Sequence, residues 1–148
     1  MERSHARLVS EMRLALLSEH GARAIYRDLA RRAPPRELRQ VLAQLALESD
    51  AQVGELERAM QALGGRQPRG SLRRTLLART LAAASPILGR RLVLRICAQA
   101  ADRAARWYAY FQLYLLRIGE PELASRCGRM SEVRRRHARL LETWVWNA

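Results

Sequence analysis

Apolar residues recur every three or four positions along four long stretches of this chain, and each stretch is closed by helix breakers. The first runs from about Ser4 to Arg32 and stops at Pro34-Pro35, because proline disfavours helix in the residue before it. Pro35 can open the second, which reaches about Leu63 before Gly64-Gly65. After the breakers Pro86 and Gly89, a third runs from roughly Arg90 to Ile118, and the fourth from about Pro121 to Trp146. Between the second and third lies a short basic, amphipathic helix from Ser71, with Leu72, Leu76, Leu77 and Leu81 set among Arg73, Arg74 and Arg79. No repeat or low-complexity tract interrupts the pattern.

The spacing selects an inward seam for each helix. The seams are Leu8, Met12, Ala15, Glu19, Ala22, Tyr26, Leu29; then Leu38, Leu42, Leu45, Ser49, Gln52, Leu56, Ala59, Leu63. The third helix gives Leu94, Cys97, Ala101, Ala104, Tyr108, Phe111, Leu115, Ile118, and the fourth Leu123, Cys127, Met130, Arg134, His137, Leu141, Trp144. All are apolar except near mid-height, where Glu19, Ser49 with Gln52, and Arg134 with His137 intrude. Isolated polar seam residues often serve only as register devices, but three seams interrupted at one height predict a buried polar site inside an antiparallel four-helix bundle. Tyr26 and Tyr108 read as core residues with locally bonded hydroxyls, and His20 as a boundary residue.

The composition agrees with helix: only 8 Gly and 5 Pro in 148 residues, enough chain for one domain spanning 1–148. With 49% hydrophobic residues, the chain can bury a core despite its net charge of +13. All 27 cationic residues are Arg. Such charge attracts phosphate in anionic lipid or in nucleic acid without separating the two. Cys97 and Cys127 form no metal-binding spacing, and a bridge between them is not expected. With no apolar signal-peptide core and no run near the roughly 20 apolar residues of a spanning helix, a cytoplasmic location is expected, peripheral to the inner face of the membrane. The three His residues and the seams offer no nucleophile–base set for hydrolysis.

Several motifs carry a resemblance. Glu19-His20-Gly21-Ala22-Arg23-Ala24-Ile25-Tyr26 resembles the first-helix motif of demethoxyubiquinone hydroxylases, Glu-x-Gly-Ala-x-x-Ile-Tyr. The second-helix ending Glu57-Arg58-Ala59-Met60-Gln61-Ala62-Leu63-Gly64 is similar to that family's, as is the Arg-Pro-rich turn after it. So are Leu88-Gly89-Arg90-Arg91 with Tyr108 beyond, and Pro121-Glu122-Leu123 leading to His137-Ala138-Arg139-Leu140. The likeness spans about Met12 to Leu141 and implies a ferritin-like fold.

The resemblance also implies a di-iron centre, held by a Glu from each of two helices and a Glu-x-x-His from each of the others. Carboxylates bridge hard iron ions and imidazoles complete the shell. Carried over position by position, the ligand sites fall at Glu19, Ser49, Gln52, Ala101, Arg134 and His137, so only Glu19 and His137 keep a ligating side chain. Displaced carboxylates at Glu48, Asp102 and Glu132 are the candidates for a rearranged shell with Glu19 and His137. Asp102 also reads as an i,i+4 partner of Arg106, and Glu48 and Glu132 as solvated. A cation at Arg134 repels a metal but suits Glu19, which predicts a charge cluster of Glu19, Arg134 and His137, with Gln52 beside it.

Three functions follow as expectations. The first is a metal-free relative, without iron or other cofactor, that binds a hydrophobic quinone-like ligand or acts as an accessory at an anionic membrane surface through Leu72, Leu76, Leu77 and Leu81. The second is an active di-iron hydroxylase of ubiquinone biosynthesis with a rearranged ligand set. The third is a basic helical module for nucleic acid, a protein partner or a second copy. Nucleic acid is disfavoured, since no helix-turn-helix or RNA-binding motif is present and the Arg residues are spread over all helices.

Overall fold

The computed structural model describes residues 2–32, 35–64 and 89–147. These residues are all-helical, forming four helices: α1 Glu2–Arg32, α2 Arg36–Ala62, α3 Arg90–Arg117 and α4 Pro121–Asn147. The amphipathic helix expected at Leu72, Leu76, Leu77 and Leu81 lies outside the described residues.

Local chemistry explains the turn that joins α3 to α4. Gly119 takes a φ of 80°, a left-handed conformation that an L side chain resists. That lets Gly119 N–H reach Leu116 O at 3.2 Å and Glu120 N–H reach Leu115 O at 2.8 Å, capping carbonyls the helix leaves open. Pro121 then occupies the first helical position of α4, where its missing N–H costs nothing. Gly64, at φ 77°, closes α2 in a similar way.

α1 packs along α2 and α3 along α4, and the two pairs meet through α2 with α4 and α1 with α3. The core divides into two apolar layers. One draws on Leu8 to Leu16 of α1, Val53 to Met60 of α2, Ala104 to Leu115 of α3 and Leu123 to Met130 of α4. The other draws on Tyr26 and Leu29, Leu38 to Ala46, Val93 to Ala98, and Leu141 with Val145. The seam residues are buried, apart from the partly covered Ala22, Leu63, Ile118 and Trp144. Between the layers lies a band of buried polar side chains: Glu19, Ser49, Gln52, Ser131, Arg134 and His137.

Candidate functional site

α1, α2 and α4 contribute to the polar band because their seams are apolar above and below, so packing forces the intervening positions inward. Arg134 and Glu19 are 1% and 0% exposed, an extreme degree of burial for an ion pair. Arg134 Nε donates to Glu19 Oε1 at 2.8 Å, and the Tyr108 hydroxyl donates to the same oxygen at 2.6 Å. Arg134 Nη1 donates to the Tyr26 hydroxyl at 3.4 Å. Three helices therefore converge on one carboxylate–guanidinium pair, with both tyrosines bonding across the bundle rather than locally as the sequence reading expects.

The electrostatics keep Arg134 charged and the two tyrosines beside it neutral. Burial works against the Arg134 charge, but Glu19 and the two tyrosines together outweigh it and hold the guanidinium above its ordinary range. Burial first, then the Glu19 carboxylate, pushes the Tyr108 phenol well up, so its proton stays available to donate. The Tyr26 phenol is raised chiefly by burial. Burial also lifts the Cys97 and Cys127 thiols to about 12, leaving them as neutral, unbridged core residues.

His137 belongs to a second group. Its ring Nε2 stands 3.0 Å from Glu48 Oε2, while the other Glu48 oxygen pairs with Arg136. Burial, with the Arg134 and Arg136 charges, pushes the imidazole down to about 3. The neutral ring then donates through Nε2 to Glu48, a tautomer assigned from its partner. Gln52 bonds neither group and donates to Met130 O at 3.0 Å. Ser131, absent from the seam reading, bonds Ala105 O at 2.8 Å where α3 and α4 lie close.

The sequence-derived candidates thus separate. Glu19 and Arg134 meet directly, while His137 turns to Glu48, which is 18% exposed rather than on a fully solvated face. Asp102 is exposed and pairs with Arg106 at 2.9 Å; Glu132 is exposed and pairs with Arg135 at 3.4 Å. His20 is partly buried beside Arg23 at 3.1 Å. Ala101 is buried and brings no polar atom. Glu19 Oε2, Ser49 Oγ and His137 Nδ1 are buried without a protein hydrogen-bond partner.

These residues do not fit a di-iron group. Of the two ligating side chains that the resemblance implies, Glu19 is engaged by a guanidinium and His137 is turned to Glu48. Among the described residues no cluster of three or more His, Cys, Asp or Glu could hold a metal ion. None of their helices is long and apolar enough to cross a membrane. No family model, curated protein or solved structure matches the chain.

Proposed function

We infer that the protein is a ferritin-like bundle of the demethoxyubiquinone hydroxylase kind that binds rather than catalyses. Its role is that of an accessory holding a hydrophobic quinone-like or lipid ligand at the membrane surface. The layer composition supports the topology. The N-terminal half of α1 shares a layer with the C-terminal halves of α2 and α3 and the N-terminal half of α4. Neighbouring helices are then antiparallel, while the consecutive helices α2 and α3 run the same way. A single crossover of that kind separates ferritin-like bundles from up-down-up-down ones.

One observation carries the functional reading: Arg134 Nε lies 2.8 Å from Glu19 Oε1 at the ligand positions implied by the resemblance. The ion pair, with Tyr108 and Tyr26, replaces the positive charge that iron would bring. The site is thereby converted from a redox centre to a structural clamp across three helices.

Metal analysis of protein purified after growth in iron-supplemented medium tests it. Iron and other transition metals well below one equivalent per chain are expected. Iron near two equivalents would overturn the reading in favour of an active hydroxylase.

A further inference from the structure

The cationic excess is not spread evenly over the bundle. α3 carries six Arg against a single Asp, a net +5, whereas α2 carries three Arg against five carboxylates, a net −2. α1, with seven Arg against four carboxylates, and α4, with six against three, each stand at +3. Arg is spread over all four helices, as expected, but among the described helices α3 has the largest net positive charge because it carries only one acid.

The same helix exposes most of the surface apolar side chains. Of the nine large exposed hydrophobic residues among those described, five are on α3: Leu92, Ile96, Tyr110, Leu113 and Leu116. Their arrangement is ordered. Leu92, Ile96, Gln99, Arg103, Arg106, Tyr110, Leu113 and Arg117 follow one another at steps of four and three, and every one is exposed. This is a second helical stripe, about 37 Å long at 1.5 Å per residue, on the side of α3 turned away from the core. Leu92 and Ile96 on one side and Tyr110 and Leu113 on the other flank the central Arg103 and Arg106, and Arg117 closes the C-terminal end. The lone acid of α3, Asp102, is already paired with Arg106.

We propose that this outward stripe of α3 is a docking face for an anionic lipid surface. The inference rests on the membrane-surface part of the functional reading and names the face that makes the contact. Charge complementarity selects this occupant. Guanidiniums bind lipid phosphates while the leucines, isoleucine and tyrosine bury into the headgroup–acyl boundary. A second copy packed antiparallel on the same stripe would set Arg103 and Arg106 against the same two cations. A nucleic acid backbone would satisfy the arginines but leave Leu92, Ile96 and Leu113 without a role.

Co-sedimentation with phosphatidylcholine vesicles, with and without phosphatidylglycerol, tests the proposal on the full chain. Wild type is expected to pellet only with the phosphatidylglycerol vesicles. Arg103→Gln/Arg106→Gln/Arg117→Gln should bind them roughly a hundredfold more weakly, since each basic residue near such a surface contributes about fivefold. Ile96→Ser/Leu113→Ser should weaken binding by about tenfold through lost apolar burial. An equal loss of charge on α2 and the α2-facing side of α4, Arg36→Gln/Arg58→Gln/Arg129→Gln, should change it at most a few-fold. All these sites are exposed, and circular dichroism checks that helix content is unchanged.

Equal weakening by the two Arg triples would overturn the proposal, as would full binding by the α3 triple or no vesicle binding at all. Duplex DNA binding abolished by the α3 triple, with vesicles ignored, would assign the face to nucleic acid instead. A wild-type dimer dissolved by Ile96→Ser/Leu113→Ser would assign it to a second copy. Vesicle binding that survives the α3 triple sinks this inference alone, no vesicle binding at all sinks the membrane-surface part of the functional reading with it, and two equivalents of iron sink the metal-free reading whatever the vesicles show.

Discussion

Two charged groups occupy the same polar band and are built in opposite ways. Glu19 and Arg134 are sealed from solvent and joined to Tyr108 and Tyr26. Glu48 bridges His137 and Arg136 from the α2–α4 side, with Glu48 18% and Arg136 48% exposed. In the first pair neither charge can be left without the other, because an unpaired buried ion costs several kcal/mol. In the second, water screens the carboxylate and can replace a lost partner. The polar band is therefore a dry clamp with a wet edge. The clamp stands at the metal positions implied by the resemblance, and the edge holds the one imidazole those positions retain.

Removing one partner of the dry pair should have the largest effect. Glu19→Ala should lower unfolding free energy by about 3–5 kcal/mol, read from urea denaturation, because it strands the Arg134 guanidinium in the core.

Acid should act next, through His137. Its folded-state pKa is depressed, so between about 6.5 and about 3 the unfolded chain binds a proton that the folded chain refuses. Stability is then lost as pH falls through that window, by at most about 1.4 kcal/mol per pH unit. His137→Gln should be less acid-sensitive than wild type between pH 7 and pH 4; parallel pH profiles would remove His137 from the account.

Tyr108→Phe deletes a hydrogen bond to a buried carboxylate and should cost about 1.5–3 kcal/mol. The smallest change belongs to the wet edge, where Glu48→Gln should cost about 1 kcal/mol or less. A Glu48 variant as damaging as Glu19→Ala would erase the distinction between the two groups.

Helical periodicity made the seams legible. Leu8 through Leu29 and Leu94 through Leu115 follow it closely, and the interruptions at Glu19, Ser49, Gln52, Arg134 and His137 are buried at one level. Partner choice was not legible. Whether His137 reaches Glu19 or Glu48, and whether Tyr108 bonds within its helix or across the bundle, depends on rotations and heights of helices that periodicity leaves free. Glu48 sits next to seam residue Ser49 in sequence, yet only the approach of α4 draws it to His137. The outward stripe of α3 was written in the same 3–4 spacing as the core seam. It went unread because the inward pattern, being more apolar, dominates that helix.

Glu19 and Arg134 form one energetic unit at the centre of the polar band. A double-mutant cycle tests it most directly, comparing unfolding free energies of wild type, Glu19→Ala, Arg134→Met and the combined variant. If each single change costs about 3–5 kcal/mol and the double recovers much of that loss, with a coupling of about 2 kcal/mol or more, the pair is the clamp described. Single costs that simply add would contradict it.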